Sequence, residues 1–531
     1  MRRRTALLLA AIVAIAWAAR HGGLTGPFGE GWQQLGAFYG KQARNYLRYG
    51  AAATGFAGVV NAEASPPSEW AWYLHHPPGL GWTMAACFAT LGISAFAAKI
   101  TGMLAALTQV VITYLLVARC LSRRAGLAAA FTTAVVPAGA YFSTHGSELG
   151  PQAIALLLLA LLLDVRAGER ASGRAGERAA SPPRVAGTAA AIAGAALYSW
   201  AALPIAAAFA WRDARARHWR RVAAIGTAAL LPFALHLAQT WWVMRHATGV
   251  LHGGSLFEAL LNRSVGESRW WASVDAADSM RRLWGHARFD FTRIGLGLAA
   301  IGAVMLATAR RTEQASPTGL ASARPLFFAL TALALGYTLP FPQGVLVHRY
   351  WLLVALPLVA LLVGVVTHVV TAAIAARRVG TWITLALLGA MAWEGLEATL
   401  RWQKRDSTPW FEEAGQVVRD LVPAGRTLVT CEPFSDSLEF YAERRVLGDV
   451  GDAEIPAEPA ELIERLASDL PWFVLALPPV EEPTVAWRRV PPWLEEHAYV
   501  AARRQLPGAA RELRLYDLSR RPDGTRYEFN R

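Results

Sequence analysis

Two adjacent histidines run into two adjacent prolines at His75-His76-Pro77-Pro78, and an apolar run opens behind them at Gly79-Leu80-Gly81-Trp82. Consecutive prolines stiffen the backbone and keep it extended. Imidazoles on such a braced loop can carry protons, act as ligands or pair with phosphate. The plainer alternative is a pair of interfacial polar residues. Two carboxylates stand in comparable positions. Glu30 is the first acid after the N-terminal apolar segment. Partial desolvation beside aromatics would raise its proton affinity and suit it to act as general base on a hydroxyl. The plainer alternative is a solvated loop glutamate or a helix N-terminal charge. Glu148 stands in the short turn Ser143-Thr144-His145-Gly146-Ser147-Glu148, at the head of an apolar stretch. There it is a second acid facing the first, a metal ligand, or a helix N-terminal charge. Lys99 enters an apolar stretch, where its ammonium can hold a phosphate or snorkel to the interface. His348-Arg349-Tyr350 occupies another tight polar turn, with Arg349 as a phosphate grip or an interfacial anchor.

These residues need a scaffold, and the composition specifies which kind. The chain has 531 residues, of which 54% are hydrophobic, with a net charge of +13. Several stretches of roughly 17–22 residues are almost free of charge, the length a helix needs to cross a bilayer. The arginines cluster between these stretches, so they specify topology rather than nucleic-acid binding. Arg2, Arg3 and Arg4 place the start of the first helix (about 5–20) in the cytoplasm, and that helix is read as retained rather than cleaved. Residues 21–97 then form a large external loop with two interfacial helices, 31–50 and 78–96. Further crossings follow near 98–118, 126–143, 149–165, a broken hairpin at 185–211, 222–243, 291–308, 325–340, 350–370 and 380–397. The total is about eleven, with each dense arginine cluster on one side. The loop 244–290, with Arg263, Arg269, Trp270, Trp271, Arg281, Arg282 and Trp284, reads as an amphipathic surface segment.

Beyond residue 400 the pattern changes. Segments 426–431, 445–450, 472–477 and 512–518 read as strands, and 435–442 and 459–470 as helices. The expected fold is therefore an all-α polytopic membrane domain over residues 1–400, with a small α/β domain over 401–531. The crossing count puts that domain outside the cell membrane. The three cysteines, Cys87, Cys120 and Cys431, form no CxxC pair, so neither a disulfide framework nor a cysteine zinc site is expected. The apolar segments hold hardly an ionisable residue, and no internal repeat is visible. Both features disfavour a transporter or lipid flippase. A non-catalytic envelope scaffold is the other alternative.

Taken together, the motifs resemble the GT-C superfamily of membrane glycosyltransferases, in the branch of dolichyl-phosphate-mannose–protein mannosyltransferases and bacterial aminoarabinose (lipid A) transferases. Glu30 matches the first acid of that family, ahead of Gly36-Ala37-Phe38-Tyr39 and Ala43-Arg44-Asn45-Tyr46-Leu47. His76-Pro77-Pro78 matches its proline element, Glu148 its second acid, and His348-Arg349-Tyr350-Trp351 its late aromatic stretch. The family's first acid is usually aspartate, and its usual arginine is Lys99 here, which lacks the bidentate fork.

The resemblance implies sugar transfer from a polyprenyl-phosphate donor to an acceptor hydroxyl of a lipid, glycan or protein, at the outer face and with inversion. It implies Glu30, Glu148 and His76 as catalytic residues. It implies His75, Lys99, His348, Arg349 and Tyr350 as substrate-binding residues. No obligatory metal follows from it, a divalent cation being an optional companion of Glu148, and no nucleic-acid partner.

Overall fold

The computed structural model describes residues 3–29, 31–147, 149–172, 182–264, 275–309, 320–373, 377–406, 409–430, 435–447, 472–477, 494–505 and 512–526. Glu30 and Glu148 lie outside the described residues, as does the expected helix 459–470. Among the described residues, six helical runs are long and apolar enough to cross a membrane. They are Arg3–Thr25, Ala95–Cys120, Trp219–His246, Leu320–Thr338, Arg349–Ala372 and Arg378–Leu421. Two bent pairs raise this to eight if each is one span: Arg123–Val135 with Pro137–Thr144, bent by 64°, and Ala277–Phe291 with Arg293–Thr308, bent by 97°. That is fewer than the sequence suggests. The difference arises where an expected crossing is broken or short, as in the hairpin Pro182–Ala196 and Ala202–Arg215.

The helix boundaries follow from local chemistry. Ser94 and Ser122 cap the helices behind them by accepting the amides of Ala97 and Ala125. Gly92, at φ +81°, ends Gly79–Leu91 in a conformation that favours glycine. Pro137 breaks the fifth predicted segment because it has no N–H to offer the Thr133 carbonyl one turn back. Arg20 supplies what is missing. It is fully buried, and its guanidinium donates to Thr133 O at 3.1 Å, Ala134 O at 2.9 Å and Ala16 O at 2.8 Å. An arginine inside the helical bundle is thus spent on a proline-broken helix end.

Two small sheets complete the architecture. In the first, β1 (Gly58–Val59) pairs antiparallel with β2 (Ala71–Tyr73), and β2 pairs parallel with β3 (Val250–Leu251). It ties residues 58–73 to the segment behind Trp219–His246. The second sheet belongs to the C-terminal domain, in the order β5-β4-β6-β8-β7. Strands β4 (Leu428–Val429), β5 (Val446–Leu447) and β6 (Trp472–Leu477) are parallel; β7 (Tyr499–Gln505) and β8 (Glu512–Asp517) run antiparallel. Helices Trp410–Leu421 and Ser435–Ala442 cover it around Trp410, Phe411, Leu438 and Leu515. Each strand segment expected from sequence contains a strand; β7 and the helix Trp410–Leu421 were not expected.

The loop helix Gln34–Tyr49 departs from its sequence reading. Its basic and aromatic mixture suggested a helix among lipid head groups, but Gly36 through Tyr46 are all buried. The C-terminal domain covers it. Lys41 pairs with Asp436 at 2.7 Å and with Glu439, Arg48 pairs with Glu443 at 3.1 Å, and Arg44 donates to the Phe440 carbonyl at 2.9 Å. Its cations therefore meet protein carboxylates rather than phospholipid.

Replacing Arg20 with methionine leaves two buried carbonyls at the break unsatisfied. The expected cost is about 2–4 kcal/mol, seen as a lower unfolding temperature of the purified protein in detergent.

Candidate active site

The His-His-Pro-Pro segment enters the helix Gly79–Leu91 at once, with Pro78 as its cap residue. Two other parts of the chain hold it and the helix behind it. His236 Nε2 is 2.9 Å from the Leu74 carbonyl, and the Gly79 amide donates to Leu197 O at 2.9 Å. Thr83 Oγ1 meets the Tyr198 hydroxyl at 2.5 Å. Gly79 is required there, since a Cβ would stand 2.5 Å from the Leu197 carbonyl. The break between Pro182–Ala196 and Ala202–Arg215 thus serves as the socket for the proline loop.

Strand pairing brings a third histidine to this loop. The His252 amide donates to Trp72 O at 2.8 Å, which puts its ring 5.6 Å from Phe38 and 6.4 Å from Tyr73. Burial first, then Lys41, lowers its affinity for a proton. His75 and His76 are both buried, with ring centroids 4.8 and 6.1 Å from Tyr73. His75 Nε2 lies 3.2 Å from the Gly254 carbonyl. His75 and His348 line one cavity of about 200 Å³, together with Gly253, Ala259, Gln343, Gly344 and Val347. A second cavity, of about 460 Å³, is lined by Trp200, Leu203, Pro204, Ala207, Phe233, Leu260, Gly336, Tyr337 and Phe341. Ala259 and Leu260 are consecutive, so the helix Leu256–Ser264 walls both.

The segments flanking the two expected acids converge on the start of the helix Gln34–Tyr49. Trp32 packs edge-on against His348 at 5.8 Å and Tyr350 at 5.3 Å. On the other side, a Cβ on Gly36 would stand 3.0 Å from the His145 carbonyl, and one on Gly146 3.0 Å from the Gly36 Cα. Gly36 is therefore in direct contact with His145 and Gly146. Gln33 and Ser147 carry buried polar side-chain atoms with no hydrogen-bond partner among the described residues.

Lys99 and Arg349 do not face these cavities. The Lys99 ammonium is buried and donates to three main-chain carbonyls, Gly23 at 3.0 Å, Gly26 at 2.8 Å and Pro27 at 3.0 Å. Its three donors are fully used. Pro27 cannot offer an N–H to the Gly23 carbonyl, and Lys99 takes its place. Arg349 pairs with buried Asp290 at 3.2 Å, under the rings of Phe289 and Trp402 at 3.9 and 4.8 Å. The Lys99 donors are turned to main-chain carbonyls, whereas Arg349 keeps its ion pair with Asp290 and has Nη2 without a hydrogen-bond partner among the described residues. Asp290, Asp406, His145 and His252 were not singled out from sequence. Asp406 accepts the Tyr141 hydroxyl and lies 3.1 Å from where a Cβ of Gly31 would be. Nothing local marks these four; only long-range packing assembles them. Among the described residues there is no group of three or more His, Cys, Asp or Glu that would hold a metal.

Lys99→Met should remove the clamp on residues 23–27. Faster amide exchange is expected there, with a stability loss of about 2–4 kcal/mol measured by thermal unfolding. His145 gives a pH signature. It is fully buried, and burial first, then Lys99 and Arg349, hold its imidazole well below the usual pKa. The folded form stays neutral while the unfolded chain gains a proton below about pH 6.5. Stability is therefore intact above that pH and falls as pH drops, by about 1.4 kcal/mol per unit until the folded imidazole titrates. His145→Phe should flatten this slope in unfolding curves taken across pH 4–7.

Comparison with known proteins agrees with this architecture. Residues 75–242 match the family model described as dolichyl-phosphate-mannose-protein mannosyltransferase. No curated protein matches the chain by sequence. Among solved structures, ArnT from Cupriavidus metallidurans bound to undecaprenyl phosphate aligns over 96% of this chain and 97% of its own, at 12% identity and a TM-score of 0.59. The archaeal oligosaccharyltransferase AglB from Archaeoglobus fulgidus, in complex with an inhibitory peptide and a dolichol-phosphate, aligns over 89% of this chain and 69% of its own, at 13% identity and a TM-score of 0.54. The chain has the multi-pass membrane fold of the GT-C glycosyltransferases, and its residues 75–242 carry the match to the dolichyl-phosphate-mannose-protein mannosyltransferase family.

Proposed function

We propose that this protein transfers a sugar from a polyprenyl-phosphate carrier to an acceptor hydroxyl at the outer face of the cell membrane. The observation that carries this is a pair of cavities with the helix Leu256–Ser264 in the wall of each. One is small and lined by His75, His348 and Gln343; the other is larger, apolar and lined by Trp200, Leu203, Phe233 and Phe341. A ligand suited to both has a polar head and a long apolar tail. The lipid phosphates named with ArnT and AglB are of that kind, which supports the reading.

In this mechanism Glu30 takes the proton of the acceptor hydroxyl. The oxygen attacks the anomeric carbon as the bond to phosphate breaks on the opposite face, so the configuration inverts. The electron pair of that bond leaves on the phosphate oxygen, where His75, His76 and His348 offset the growing charge. Tyr350 packs beside His348 and supports the head-group end. Glu148 orients the acceptor, with or without a divalent cation. Lys99 and Arg349 act through the backbone and rings they hold, adding positive potential at longer range. The arginine clusters face the cytoplasm, which leaves the C-terminal domain outside.

Glu30→Gln and Glu148→Gln should each lower transfer of radiolabelled sugar from polyprenyl-phosphate donors by about 10²–10⁴-fold, as expected for loss of a general base or its partner. Normal transfer by both would end this mechanism. Ala207→Trp, which fills the apolar cavity, should raise the KM for a long-chain donor and leave that for a two-isoprene donor unchanged. An equal effect on both donors would place the tail elsewhere.

A further inference from the structure

The segment leading to Glu30 is held from two sides. From the membrane domain, Lys99 binds the carbonyls of Gly23, Gly26 and Pro27. From the C-terminal domain, the Tyr441 hydroxyl accepts the Phe28 amide at 2.7 Å, and Ser437 Oγ donates to the Gly29 carbonyl at 2.9 Å. These are the last two residues before the acid. They lie some 410 positions from their partners in sequence, on a helix of a different domain.

The docking of that helix does not depend on the two hydroxyls. Lys41 with Asp436 and Glu439, Arg48 with Glu443, and Arg44 on the Phe440 carbonyl hold it independently. Phe440 also lies edge-on to Phe28 at 5.0 Å, and over Gly40, where a Cβ would stand only 2.8 Å from its ring. The two hydroxyls therefore do something the ion pairs do not. They reach past the loop helix and fix a strand of main chain that has no regular structure of its own.

We propose that Ser437 and Tyr441 are positioning residues for sugar transfer: the C-terminal domain clamps the main chain at Phe28 and Gly29, the two residues that precede Glu30 in the chain. This rests on Glu30 being the base. A general base works only within hydrogen-bond reach of the proton it takes, and an error of about 1 Å costs up to about a hundredfold in rate. The small α/β domain is then a working part of the catalytic centre, and a protein lacking it would retain the donor cavities but not the clamp on Phe28 and Gly29.

The test uses the full-length protein in detergent or liposomes and the double variant Ser437→Ala/Tyr441→Phe. Hydrogen exchange read by mass spectrometry should show faster exchange over residues 28–33 and unchanged protection of Gln34–Tyr49. With undecaprenyl-phosphate-linked mannose and aminoarabinose as donor probes, kcat should fall by about tenfold or more with donor KM within about twofold. Ser437→Thr, which keeps the hydroxyl, should retain the wild-type kcat. Wild-type exchange over 28–33 in the double variant would overturn the clamp. So would loss of protection across Gln34–Tyr49, since the hydroxyls would then merely dock the domain. If Glu30→Gln transfers sugar normally, the base assignment fails by itself, and the exchange data still decide whether the clamp exists.

Discussion

The structure depends on a buried ammonium filling in for a missing amide hydrogen. Helix Arg3–Thr25 ends at Pro27, which leaves the Gly23 carbonyl without its helical donor. Burying that carbonyl unpaired would cost about 1–3 kcal/mol. Lys99, from the helix Ala95–Cys120, supplies the donor and takes two further carbonyls with it. A cation at a helix C-terminus is also favoured by the helix dipole. One side chain thereby joins the end of the first crossing, the start of the second and the loop leading to the first acid. Arg20 repeats the device at Pro137, where it caps Thr133 and Ala134. Two prolines create breaks, two buried cations satisfy them, and the breaks are where regular helix gives way to loops.

Those breaks are what make a site out of a helical bundle. Regular helices use their backbone polar groups internally and offer a lipid-like surface. Non-helical backbone at the membrane face is tolerated only where protein covers it. Here the cover is mutual. The proline loop sits in the gap between Pro182–Ala196 and Ala202–Arg215, the 145–147 turn rests on the glycine face of Gln34–Tyr49, and β2–β3 pairing draws His252 toward Tyr73. Of these segments, the proline loop and the stretch behind β3 contribute His75 and Gly253 to the cavity that His348 also lines.

The C-terminal domain belongs to the same arrangement. Its docking helix places Asp436, Glu439 and Glu443 against Lys41 and Arg48, which turns a helix with an interfacial composition into a buried one. Buried ion pairs of this kind contribute more to a specific arrangement than to net stability. What they specify here is the register of a domain whose hydroxyls reach the main chain at Phe28 and Gly29.

The amino-acid sequence by itself determined the membrane class, the placement of most helices, the α/β character of the C-terminal segment and the candidate segments. It did so because apolar runs, arginine clusters, glycine and proline act through local physics. The helix behind Pro78 and the broken hairpin near Ser199 were legible for that reason. Partners were not legible. Lys99 and Arg349 looked like phosphate ligands because a lone cation carries no sign of what it will meet; the fold gave one to three carbonyls and the other to Asp290. The aromatic, basic helix Gln34–Tyr49 looked interfacial for want of any local mark of the carboxylates some 395 residues away. The two cavities, and the hydroxyls that hold residues 28 and 29, exist only once distant segments are packed. Tertiary structure alone decides such contacts, because each depends on two surfaces whose residues are chosen independently along the chain.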